Sequence, residues 1–127
     1  MHVRSGSGAT DDGVTSGGAL TGLGNLVVGY NETTYAAPRT GSHNLVVGWE
    51  HGYTSAGGFV AGEMNQVRGF ASSVSGGFGS VASGHHASVS GGESNLASGR
   101  GASVSGGSDR SALGDFDWAA GGLFEDQ

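Results

Sequence analysis

Short apolar runs bounded by glycine recur along the chain. Gly24-Asn25-Leu26-Val27-Val28-Gly29 and His43-Asn44-Leu45-Val46-Val47-Gly48 are nearly one segment written twice. Leu-Val-Val between glycines predicts a short strand buried on at least one face. Further along, the runs become alternations. In Ala87-Ser88-Val89-Ser90-Gly91, Ala87 and Val89 point one way and the two serines the other. Val74, Val89 and Val104 recur at one constant interval, and Val60 precedes Val74 by an interval a single position shorter. One eight-residue pattern, Gly-x-x-[Asn/Ser/Arg]-x-x-x-Gly, begins at Gly22, Gly41, Gly62, Gly77, Gly92 and Gly107. A sister pattern, Ala-Ser-Val-Ser-Gly-Gly, stands between its copies at 87–92 and 102–107.

A short, constant period predicts a solenoid, in which each repeat is one coil that buries its apolar face only against its neighbours. The expected fold is all-β: a parallel β-solenoid of 14–15-residue coils, each with two short strands and two glycine-containing turns. Stacked at an interstrand spacing of ~4.8 Å, six or seven coils make a body roughly 30 Å long. Val60, Val74, Val89 and Val104 then form a buried column. Asn25, Asn44, Asn65 and Asn95 are expected at one shared corner, bonding the backbone of their own and the next coil. Residues 1–15, with Ser5-Gly6-Ser7-Gly8 and Asp11-Asp12-Gly13, read as a flexible lead-in. Residues 16–122 are the solenoid and 123–127 a cap and tail.

The connections are longer in the first half. The stretches from Gly29 to Asn44 and from Gly48 to Asn65 both exceed the corresponding stretch from Gly84 to Asn95. The extra residues, 30–35 and 49–54, carry Tyr30, Tyr35, Trp49 and Tyr53. Insertions in solenoids map to one side, often the binding side, so these four rings are the expected contact surface. At the other end, shifting Ser103-Val104-Ser105-Gly106-Gly107 by one valine interval lands on Trp118-Ala119-Ala120-Gly121-Gly122. Phe116, Trp118, Leu123 and Phe124 are expected to close that end, because natural solenoids cover their last coil with an atypical repeat.

Composition sharpens the picture. The chain has 127 residues, 28 of them glycine, a net charge of −6, five arginines and no lysine. Periodic glycine argues against a disordered linker, and the absence of a three-residue period against collagen. The acidic balance argues against nucleic acid and against a polybasic membrane contact. The predicted core of Ala and Val is thin and the chain has no cysteine to staple it. Self-association is the expected support.

At Asn44-Leu45-Val46-Val47-Gly48 and Asn95-Leu96-Ala97-Ser98-Gly99, the chain resembles the head domains of trimeric autotransporter adhesins. The likeness covers roughly residues 16–122. It implies a left-handed parallel β-roll, three rolls associated side by side, on an exported fibre that attaches to host or matrix surfaces. Similar rolls occur in phage and contractile-injection fibres. The chain departs from the adhesin pattern where Ser-Val-Ser-Gly-Gly replaces a more apolar strand.

Candidate chemistry is sparse. His85 and His86 are adjacent, so they point apart and are not expected to share a metal ion. Gly76-Gly77-Phe78-Gly79 is similar to the start of calcium-binding nonapeptide rolls, but Ser80 and Val81 stand where the carboxylate is required. No serine is singled out as a nucleophile. The expectation is a protein that is not an enzyme and needs no cofactor, at the cell surface or outside the cell, with its export signal outside this sequence or its exit by another route. Its partners are itself and a surface protein or glycan. Two alternatives remain open: a receptor-binding or shaft segment of a phage-like fibre, and an ice-binding face built on Ser73/Ser75, Ser88/Ser90 and Ser103/Ser105.

Overall fold

The chain is a parallel β-solenoid of about six turns in a computed structural model, which describes residues 1–121. A seven-stranded sheet runs β1 (Leu26–Val28), β2 (Leu45–Trp49), β4 (Phe59–Glu63), β6 (Ser73–Val74), β8 (Ser88–Val89), β10 (Ser103–Val104), β12 (Trp118–Ala119). Opposite it, a five-stranded sheet runs β3 (Gly52–Tyr53), β5 (Gln66–Val67), β7 (Val81–Ala82), β9 (Leu96–Ala97), β11 (Ser111–Ala112). All pairings within both sheets are parallel and each joins one coil to the next.

The core is one inward column from each sheet, with Ala87 and Ala102, just before β8 and β10, buried beside them. Val60, Val74, Val89 and Val104 stack in register on the larger sheet and are fully buried, as their spacing predicts, and Val46 extends the column by one coil. Facing them, Tyr53, Val67, Ala82, Ala97 and Ala112 stack on the smaller sheet. The facing column shrinks from tyrosine to alanine along the chain. A buried valine contributes about 1.5–3 kcal/mol by burial, and it does so here only because coils cover it above and below. Val27 shows this: it occupies the same column in β1 but stays exposed, with no coil beyond it.

The asparagines form two ladders rather than one, which corrects the expectation of a single shared corner. Asn25 and Asn44 precede strands of the larger sheet, and Asn65 and Asn95 precede strands of the smaller one. The eight-residue pattern is therefore a half-coil. Its first two copies build the larger sheet and its last four build the smaller. On the first corner, Asn25 Oδ1 accepts the Asn44 N–H at 2.8 Å and Asn44 Oδ1 accepts the Gly58 N–H at 2.8 Å. On the second corner the relay is longer. The N–H groups of His51, Asn65, Ser80, Asn95 and Arg110 donate in turn to Asn31 Oδ1, His51 Nδ1, Asn65 Oδ1, Ser80 Oγ and Asn95 Oδ1, at 2.6–3.2 Å. Each side chain satisfies a buried backbone donor of the next coil, which an apolar residue there would leave unpaired.

The split between two corners also explains the connection lengths. In register, β1 to β2 is the long step, and every later step repeats the valine interval or falls a single position short of it. Among the described residues only the first coil carries an insertion, between β1 and Arg39, which bridges to Tyr53. Residues 49–54 are ordinary coil, ending β2 and forming β3. The insertion is pinned where Glu50 Oε1 accepts the Thr34 N–H at 2.7 Å, and where the Arg39 guanidinium donates to the carbonyls of His51 at 3.0 Å and Glu32 at 2.8 Å.

Residues 1–15, read as a flexible lead-in, contain the start of a 3-10 turn, Val14–Ser16, and a polar hub at Asp12. The buried Asp12 carboxylate accepts the Ser7 hydroxyl and the N–H and hydroxyl of Thr21, each at 2.7 Å. The Ser42 and Ser5 hydroxyls hold its carboxyl well below the usual range. Ser5 N–H also donates to His43 Nε2 at 3.1 Å, fastening the segment to the second coil.

His51 is fully buried within the second relay, its Nε2 3.0 Å from the Val47 carbonyl and its Nδ1 accepting from Asn65. Burial lowers its pKa below the ordinary histidine value. A folded pKa below the unfolded value of about 6.5 gives a stability term that is fully present above pH 6.5 and is lost as pH falls below it, with a slope of at most about 1.4 kcal/mol per pH unit. Asparagine fills the same corner in neighbouring coils. His51→Asn is therefore expected to keep the fold and flatten the fall in melting temperature between pH 7.5 and pH 5.5. Parallel thermal melts of both proteins check this, and an equal fall in both rejects the role given to His51.

Candidate contact surface

The four rings expected to form one surface separate. Tyr53 lies in the core, 8% exposed, because it is the inward residue of β3 between Arg39 and Val67. That corrects its assignment to the contact surface. Tyr35 is on the first-coil insertion and is 66% exposed. Tyr30 is 93% exposed and Trp49 is 41% exposed. The β1–β2 register, continued two residues past Val28 and Val47, sets Tyr30 beside Trp49.

Trp49 opens a row that sequence reasoning missed. Trp49 pairs with Glu63, and parallel bridges continue through Phe78, Glu93 and Ser108, one residue per coil. The row runs along the corner where the chain leaves the larger sheet, beside the glycines 48, 62, 77, 92 and 107, which line the same open groove. Phe78 is 39% exposed. Glu93 is exposed and Glu63 half-buried, and among the described residues neither carboxylate has an ion-pair or hydrogen-bond partner. The signal was present in the sequence. In the four later copies of the half-coil pattern, the residue after the first glycine is Glu63, Phe78, Glu93 and Ser108.

The outer face of the larger sheet is a second surface. One row runs Leu26, Leu45, Phe59, Ser73, Ser88, Ser103, Trp118. Two residues further along each coil, Val28, Val47 and Ala61 are followed by Ser75, Ser90 and Ser105. The face is apolar over its first three coils, hydroxylated over the next three and apolar again at Trp118, and neither row contains a charge. Ser88 Oγ donates to Ser103 Oγ at 3.3 Å, so the serines form an in-register ladder.

Trp118, expected to close the last coil, belongs to this face. It is 70% exposed, and its indole N–H donates to Ser105 Oγ at 2.7 Å. Ala119 is the residue that packs on the core. Phe116 lies over Gly101 and is exposed. Leu123 and Phe124, the rest of that expected cap, lie outside the described residues, as does the tail 123–127.

His85 and His86 sit at the opposite corner with Phe70, their ring centroids 6.2–6.5 Å apart. Among the described residues no three His, Cys, Asp or Glu side chains group to hold a metal ion, and no helix is long and apolar enough to cross a membrane. Compared with family models, with curated proteins and with solved structures, the chain matches none. Its reading rests on the geometry above.

Proposed function

We propose that this chain is a non-enzymatic segment of an extracellular fibre or adhesin, working as a homotrimer of parallel rolls that attaches to a surface. The observation that carries the reading is the outer face of the seven-stranded sheet. It is uncharged along both rows and apolar from Leu26 to Ala61. A thin core with no disulfide gains from covering such a face with another copy. The resemblance to trimeric autotransporter heads points the same way.

The test is molar mass by light scattering at micromolar concentration. The unaltered chain is expected to run as a trimer. Leu45 is exposed in the single chain, so Leu45→Glu is expected to leave its fold intact and to dissociate the trimer. A monomer whose mass does not change with concentration overturns the reading.

A second reading follows from the serine ladder alone. Hydroxyls repeated in register at the coil spacing suit an ice-binding face. Growth of ice crystals in micromolar protein without faceting rejects it.

A further inference from the structure

The groove beside the Trp49–Ser108 row has the chemistry of a binding cleft for an extended chain. Aromatic and acidic side chains alternate along it, Trp49, Glu63, Phe78, Glu93, at one residue per coil. Each step is the interstrand spacing of ~4.8 Å, so both rings and both carboxylates recur at roughly 10 Å. An extended peptide puts same-face side chains on every second residue and falls out of step with this repeat. One sugar ring of an extended β-linked glycan advances by about one coil. Alternate rings then present their apolar C–H faces to Trp49 and Phe78, and the intervening rings present their polar substituents to Glu63 and Glu93.

Charge selects among glycans. Both carboxylates are without a basic partner among the described residues, and the row contains no arginine. An acidic sugar placed there meets unscreened repulsion, whereas a protonated amine gains a charge-assisted hydrogen bond and the attraction of the neighbouring ring face. The groove is open, so a chain can lie in it lengthwise. We propose that this corner groove binds a linear glycan of amino sugars, with Trp49 and Phe78 as stacking platforms and Glu63 and Glu93 as acceptors of its amines and hydroxyls. The proposal rests on the reading of the chain as a surface-attaching segment and names the ligand class of that attachment.

Three hexasaccharides test it by calorimetry at pH 6: a β-linked glucosamine hexamer, cellohexaose and a galacturonic acid hexamer. Binding is expected to be tightest for the glucosamine hexamer, at least fivefold weaker for cellohexaose and absent for the acidic hexamer. Trp49→Ala and Phe78→Ala, each checked for an unchanged melt, are each expected to weaken the glucosamine hexamer tenfold or more. Glu63→Gln with Glu93→Gln is expected to abolish the preference over cellohexaose. Phe78 lies on a different coil from Trp49, so a folding defect in one variant leaves the other as the test. The proposal is overturned if the glucosamine hexamer does not bind, or binds equally to all variants, or if the acidic hexamer binds as well. It is also overturned if an arginine-rich peptide binds with this variant sensitivity while the sugars do not. The oligomeric state is read separately on the same samples. A trimer that ignores glucosamine rejects the glycan alone, and a monomer rejects the parent reading.

Discussion

Val89→Asp is expected to leave no folded solenoid at room temperature. Val89 is fully buried between Val74 and Val104, and it faces the alanine column of the smaller sheet. No arginine reaches this interior, so the carboxylate would enter the core unpaired and without a hydrogen-bond donor. An unpaired buried charge is among the few single changes whose cost exceeds about 4 kcal/mol. Protonation relieves part of that, which gives the prediction a second signature: the variant should regain structure as pH falls through about 5. Val89→Ala gives the scale for volume alone and should cost about 1–3 kcal/mol. Circular dichroism melts of the three proteins decide the matter. A melting temperature for Val89→Asp within a few degrees of the unaltered chain means the valine column is not the core.

Gly84→Ala is expected to be nearly as damaging, although it adds one methyl group, because Gly84 is buried at a corner between coils. A Cβ at Gly84 would fall on the carbonyl oxygen of Gly99 in the next coil, far inside contact distance. The atom it meets is backbone and cannot rotate away. Gly69 stands in the same relation to Gly84, and Gly99 to Gly114. The clash opens the coil-to-coil step and weakens the strands on both sides of it. A loss of about 3 kcal/mol or more is expected. Gly76 is the control: a Cβ there meets nothing, so Gly76→Ala should leave the melt unchanged within about 0.5 kcal/mol. Equal melts for Gly84→Ala and Gly76→Ala would reject close coil packing at this corner.

Much of this fold was legible because a solenoid writes its geometry into its period. Val60, Val74, Val89 and Val104 announced a column by spacing alone, and the structure stacks them. What the spacing could not say was which half of a coil each pattern copy builds. Asn44-Leu45 and Asn65-Gln66 look alike locally, since both set an asparagine before a strand. They differ only in which neighbour covers them, and that is a long-range fact. The same ambiguity made Trp49–Thr54 look like an insertion and put Tyr53 on the outside. His51 was hidden for a related reason: it does an asparagine's work with a different side chain, accepting the next coil's N–H through Nδ1. The aromatic and acidic row escaped notice because each member alone is an ordinary surface residue. It becomes a surface feature only when coils stack.

The corner relays have a mechanical meaning. Their hydrogen bonds, like those of both sheets, lie along the long axis of the stack. A pull applied along that axis loads the coil steps in series. Each coil that opens releases the whole stretch between one paired position and the next, as from Ser88 to Ser103. Drawn taut, that stretch spans roughly 50 Å, in exchange for ~4.8 Å of stack. Each coil surrendered thus lengthens about tenfold while the rest stays folded. A stack built this way yields to a pull in steps, one coil at a time.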